Sequence, residues 1–138
     1  MAEDKKKEID VTVIEVTEEY LKEKLYKIRG KRVLLDADLA EIYGYDTKGF
    51  NRQVKNNIEK FDSDFMFELT KEELSRSQFV TLNKGRGNNF KYMPFAFTEL
   101  GVAMLSSVLN SDIAIEINRN IMRAFVAIRN YTLQATTS

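Results

Sequence analysis

Residues 36–55, DADLAEIYGYDTKGFNRQVK, read as two short capped helices joined by one tight turn. Asp36 stands where a helix cap is needed, and Asp38 falls in a first turn that favours acids. Gly44 stops this helix by offering the left-handed conformation. Asp46 caps the next one, and Tyr45 and Phe50 are placed as a hydrophobic staple across that cap. In the second helix Phe50, Val54, Ile58 and Phe61 make one stripe of helical period, expected to be buried. Ala40, four residues before Gly44, is small enough to let the second helix cross closely. This is the sequence form of a helix-turn-helix.

The other face of the second helix carries Lys48, Asn51, Arg52 and Lys55, with Glu59 one turn later. Cations and an amide at the N-terminal end of such a helix are what a DNA-reading element presents to base edges and phosphates. The alternative is a solvated face with Lys55–Glu59 as an i,i+4 pair. A second basic element is the turn Lys84-Gly85-Arg86-Gly87-Asn88-Asn89, followed by Lys91. It reads as a wing lying along a phosphate backbone, or as a flexible loop kept soluble by charge. Lys22, Lys24, Lys27, Arg29, Lys31 and Arg32 form a third cluster. The 21 basic and 21 acidic residues cancel, so only this uneven distribution points to a polyanion.

Outward from this centre, residues 1–10 read as a charged tail, 11–131 as one domain and 132–138 as a polar tail. Val11–Val16 reads as a short strand, and Thr17 caps a helix over TEEYLKEKLY. Gly30 centres a β-hairpin over Lys27–Leu35. Phe65–Leu69 and Phe90–Phe95 are expected to pair antiparallel, with Pro94 confined to a sheet edge or strand end. Between them Thr70 and Glu73 form a capping box. Thr98 caps a helix, and Ser111 or Asp112 caps the last one. There Ile113, Ile117, Ile121, Ala124 and Ile128 form a stripe, with Met122 and Phe125 beside it. The two helices are expected to form a hairpin over the sheet. The fold class is α+β: a helix-turn-helix-like pair, short strands with a hairpin wing, and a C-terminal helical hairpin.

The chain of 138 residues contains no cysteine and no histidine. Disulfides, thiolate nucleophiles, Cys/His zinc sites and Ser-His-Asp catalysis are thereby excluded. Asp36 and Asp38, two apart on a helix, do not converge on a metal, and Asp62 and Asp64 read as turn residues. No enzymatic activity and no cofactor are expected. There is no apolar run of membrane-spanning length, and MAEDKKKEID lacks the apolar core of a signal peptide. A cytoplasmic, nucleoid-associated protein is the expectation.

Several ordered motifs resemble the phage-type ORF-six-N DNA-binding domain, a relative of the KilA-N domain. They include Ile28-Arg29-Gly30, Leu35-Asp36-x-Asp38-Leu39-Ala40-x-x-Tyr43-Gly44, Thr47-Lys48, Asn51 and Val54-Lys55-x-Asn57. Asp64-Phe65-Met66-Phe67-x-Leu69-Thr70, Lys91-Tyr92-Met93-Pro94-Phe95-Ala96-Phe97-Thr98-Glu99, residues 101–109 and residues 121–126 continue the match. The chain departs from the pattern at Gly49-Phe50, at Asn56, where a cation is usual, and at Asp62, where a proline is usual. The resemblance implies a small α+β domain that binds DNA, as found in prophages and bacterial genomes at the N-terminus of antirepressor-like proteins. The usual C-terminal effector segment is not seen, so a stand-alone domain or a fragment is expected.

The resulting expectation is a sequence-specific binder of double-stranded DNA with a role in transcription regulation. Lys48, Asn51, Arg52 and Lys55 would enter the major groove, with Asn51 on adenine and Arg52 on guanine. Thr47 would bind a phosphate, and Lys84, Arg86 and Lys91 would contact phosphates from the wing. The runner-up is a protein-interaction module without DNA binding, its apolar C-terminal helices forming a homodimer.

Overall fold

Alternating side chains along Lys31–Leu35 place Val33 and Leu35 on one face of a sheet and Leu34 on the other. The computed structural model describes residues 16–76 and 93–137. In chain order they form α1 (Glu18–Lys24), β1 (Tyr26–Ile28), β2 (Lys31–Leu35), α2 (Asp36–Tyr43) and α3 (Thr47–Lys55). Then come β3 (Met66–Glu68), α4 (Lys71–Arg76), β4 (Phe95–Thr98), α5 (Glu99–Met104) and α6 (Asp112–Thr137). The sheet order is β1-β2-β4-β3, antiparallel throughout. The α+β class read from the sequence is the class observed.

The register aligns Leu34 with Phe97 and Phe97 with Met66. This row faces the larger core, which it shares with Leu39, Phe50, Val54, Val102, Ile117 and Ile121. The neighbouring row, Leu35, Ala96 and Phe67, faces a smaller core closed by Leu69 and by Leu74 of α4. The β1–β2 turn has Arg29 at φ 57° and Gly30 at φ 75°, the two positive values of a type I′ hairpin turn.

Most of the expected caps are present. Thr17 Oγ1 accepts from the Tyr20 N–H at 3.0 Å, and Ser111 Oγ from the Ala114 N–H at 3.2 Å. The capping box closes both ways: Glu73 N–H donates to Thr70 Oγ1 at 3.1 Å, and Thr70 N–H to Glu73 Oε1 at 2.9 Å. Thr98 Oγ1 accepts from the Gly101 N–H at 3.3 Å and donates to the Asp64 carbonyl at 2.7 Å.

Four expectations are corrected. The strand that pairs with Met66–Glu68 is Phe95–Thr98, through Phe95–Phe97, so of the expected Phe90–Phe95 strand only Phe95 pairs among the described residues, and residues 90–92 lie outside them. Pro94 has no N–H for the ladder, so it stands at the entry and contributes only its carbonyl, to Leu69 N–H at 3.0 Å. Asp36 is not the cap of α2. That position is Leu35, and Asp36 is the first helical residue, with 5% of its surface exposed. Ile58 leaves the buried stripe and is 49% exposed, because α3 ends at Lys55 and a 3-10 turn over Ile58–Lys60 changes the phase. Ile113 is 62% exposed and Ala114 takes its place in the core, ahead of the buried Ile117, Ile121, Ala124 and Ile128. Helix α6 also continues to Thr137, into the segment read as a polar tail. It packs on α1, α2 and α5. Of the Val11–Val16 strand only Val16 lies within the described residues, and it is buried.

Candidate nucleic-acid interface

The turn between α2 and α3 forms as its residues dictate. Gly44 sits at φ 83°, and its N–H and that of Tyr45 donate to the Glu41 and Ala40 carbonyls at 3.1 and 2.8 Å. Asp46 Oδ1 accepts from the Gly49 N–H at 2.7 Å. A Cβ on residue 49 would stand 2.7 Å from that same oxygen, so glycine here leaves room for the cap. Tyr45 meets Phe50 edge-on with ring centroids 6.5 Å apart, which is the staple. Phe50 in turn packs edge-on against Phe97 at 5.7 Å. Phe50 and Val54 are buried and fix the rotation of α3 about its own axis.

That rotation leaves Thr47, Lys48, Arg52 and Lys55 exposed. Lys48, Arg52 and Lys55 follow at i, i+4 and i+7, so one stripe of cations faces away from the core. None of the three forms a salt bridge among the described residues. The Lys55–Glu59 pair of the solvated-face alternative is therefore not made. Lys55 Nζ lies instead 6.0 Å from the centroid of the Phe95 ring.

Asn51 is turned inward. Its Nδ2 donates to Asp36 Oδ2 at 2.9 Å, and its Oδ1 is buried without a hydrogen-bond partner. Asp36 also accepts from the Phe95 N–H at 3.3 Å and the Ala37 N–H at 2.7 Å. Burial pushes the Asp36 carboxyl above the usual carboxylate range, and the hydrogen bonds from Asn51, Phe95 and Ala37 oppose the shift. One side chain thus joins the start of α2, the middle of α3 and the start of β4. Asp38 takes a different partner, Lys24 at 3.7 Å, so the two carboxylates do not share a site.

Lys84, Arg86 and Lys91 lie outside the described residues. Phe95 lies against both Lys55 and Asp36, so β4 begins beside α3.

The third basic cluster is largely spent on internal pairs. Lys22 meets Glu18 at 3.3 Å, Lys24 meets Asp38, and Lys31 meets Asp64 at 3.6 Å. Arg29 is the most engaged: Nε donates to Glu73 Oε2 at 2.7 Å and Nη2 to Oε1 at 3.1 Å. Its guanidinium lies 4.0 Å from the Phe67 ring centroid. The bond from Arg29, with the Thr70 N–H, holds the Glu73 carboxyl down at about 2. A further polar tie escapes sequence reading. Buried Asn118 on α6 donates through Nδ2 to Tyr43 Oη and to the Val102 carbonyl, both at 2.9 Å.

No group of three or more acids that could hold a metal ion occurs among the described residues, and no helix there is long and apolar enough to cross a membrane. A family model described as the ORF6N domain matches residues 23–108, from the end of α1 to the turn after α5. No curated protein and no solved structure matches the chain.

Proposed function

The chain belongs to the ORF6N domain family, a phage-related family of regulatory domains, and we propose that it binds double-stranded DNA sequence-specifically through α3. The observation that carries this reading is the stripe of Lys48, Arg52 and Lys55. These cations are exposed and outside any salt bridge among the described residues, on the second of two helices joined by a tight turn. Thr47, in the first turn, is placed to donate to a phosphate. Arg52 is the residue suited to guanine, through two parallel bonds to O6 and N7. Lys84, Arg86 and Lys91, which lie outside the described residues, are proposed to add phosphate contacts. No catalytic step is involved, and the role is that of a regulator such as an antirepressor.

Selection from a random duplex library, followed by titration of the best site at several salt concentrations, tests the reading. With about five phosphate contacts, log K falls against log[salt] with a slope of about −4 to −5. Arg52→Ala relaxes preference at one base position, while Lys84→Ala/Arg86→Ala weakens all sites alike and lowers the slope by about 2. A slope near zero, or no enriched sequence, refutes sequence-specific binding.

Self-association through the C-terminal helices is favoured by one observation: Leu100, Ile113 and Val126 are 53%, 62% and 42% exposed. A dimer would present two copies of α3 to two half-sites. Sedimentation at micromolar concentration decides this, and a strict monomer removes it.

A further inference from the structure

Three cations of the hairpin, Lys27, Lys31 and Arg32, line a cleft. It opens between the β1–β2 hairpin and α6, at the Thr98 end of β4, away from Phe95 and α3. Its volume is about 420 Å³, and its walls carry Lys27, Lys31, Arg32 and Arg129 against two acids, Asp64 and Glu99. Leu100 supplies an apolar surface beside these charges, and Phe125, which also lines the cleft, is almost wholly buried.

We propose that this cleft binds a small organic anion: a phosphate ester or carboxylate carrying an apolar group of about the size of one aromatic ring. Three features carry the inference. First, one concavity gathers four cations and two acids, and Lys27 among the cations is outside any salt bridge among the described residues. A concavity lined mainly by cations focuses their field more than a flat surface does. Second, the two internal pairs at its rim are open to exchange. Lys31 Nζ stands 3.6 Å from Asp64 Oδ1, and Asp64 is 72% exposed at its side chain. Arg129 meets Glu99 through one nitrogen, Nη1, and is 48% exposed. Such solvated pairs are weak, and an incoming anion can compete for their cations. Lys27 has no salt bridge among the described residues. Third, Leu100 leaves half its surface in water beside Phe125, so an apolar group seated there removes hydrocarbon from solvent. The volume lies within the range of about 300–1,000 Å³ typical of small-molecule sites. A bare inorganic ion would use the charges and leave the apolar surface wet.

The test is a nitrogen-15 NMR titration of the full chain with phenyl phosphate, inorganic phosphate and phenol as separate probes. Phenyl phosphate should shift the amides of Lys27, Gly30, Lys31, Arg32, Leu100 and Phe125 saturably. Its affinity should exceed that of either fragment by about tenfold or more. Lys27→Ala and Arg129→Ala should each weaken it at least threefold without lowering the melting temperature; Lys27 is exposed, so its variant folds. Equal binding of inorganic phosphate would overturn the apolar half of the proposal. The whole proposal falls if shifts do not saturate, or if they gather on α3. It also falls if duplex DNA shifts the cleft amides and displaces phenyl phosphate, since the cleft would then belong to a nucleic-acid face.

Discussion

Gly101 offers a test in which two familiar effects oppose each other. It lies inside α5, where alanine is favoured over glycine by about 1 kcal/mol on helix propensity alone. The structure requires the opposite sign. A Cβ on residue 101 would collide with the carbonyl oxygen of Phe65 and stand 2.9 Å from its carbonyl carbon. Both are backbone atoms, so no rotamer change relieves the contact. The Phe65 carbonyl is also fixed, because it accepts from the Thr98 N–H at 3.0 Å. Forcing a methyl into such a site costs about 1–3 kcal/mol, and loosening the Thr98 bond adds about 1. With propensity subtracted, Gly101→Ala should lose about 1–3 kcal/mol of stability. For a slope of about 1.5 kcal/mol/M, the urea midpoint drops by about 0.7–2 M. Gly49→Ala is the control: its new Cβ meets only the movable Asp46 carboxylate, and a lost cap of about 1 kcal/mol offsets the propensity gain. A Gly101→Ala midpoint at or above wild type would refute the close-approach argument.

Gly44→Ala should cost about 1 kcal/mol, because residue 44 sits at φ 83° with open space around it, so only backbone strain acts. Calorimetry checks it, and an unchanged transition would mean the turn relaxes. Asp46→Ala should cost about 1 kcal/mol, and Asp46→Ser should recover most of that, read by urea unfolding. Glu73 titrates at about 2 in the folded chain, below its unfolded value. Its stabilisation is therefore full above about pH 4.5 and fades as pH falls towards 2. Because Arg29 is 41% exposed at its side chain, the effect should be no more than about 1 kcal/mol and shrink in salt. The stability gap between wild type and Glu73→Gln should narrow from pH 6 to pH 2.5; a constant gap would mean the pair contributes nothing.

What could be read from the sequence was local. Gly44, Asp46, Thr70–Glu73 and Thr98 act within four residues, and each cap or turn formed where its chemistry placed it. The pair of helices α2 and α3 and the turn between them were legible for the same reason: Gly44, Tyr45 and Phe50 lie close along the chain. Periodicity failed where a helix ended before the pattern did, as at Ile58, or began before the core did, as at Ile113. The roles of Arg29 and Asp36 were out of reach. Their partners, Glu73 and Phe95, are set by sheet order and not by spacing along the chain. Asn51 shows how fine the margin is on a short helix. It follows the buried Phe50 by one residue, a rotation of about 100°, which places it at the border between core and solvent.

That border position decides what Asn51 can do. Reading adenine requires its amide oxygen and nitrogen together, both facing the groove. In the folded chain the nitrogen is committed to Asp36, and the oxygen is buried. Swinging the amide outward would leave a buried carboxylate short of one donor, at a cost of about 1–3 kcal/mol. A good bidentate base contact is worth about 1–3 kcal/mol, so the exchange gains nothing. Holding the start of α2 and β4 against α3 is then the better use of this residue, and in the proposed DNA complex base reading would fall to Arg52 and Lys48. Asn51→Ala should accordingly lower stability by about 1–3 kcal/mol and leave the selected DNA sequence unchanged. Arg52→Ala should do the reverse. Urea unfolding and duplex selection, run on both variants, separate the two roles. If Asn51→Ala relaxes preference at one A·T position while its unfolding midpoint stays at the wild-type value, Asn51 reads DNA and the Asp36 contact is dispensable.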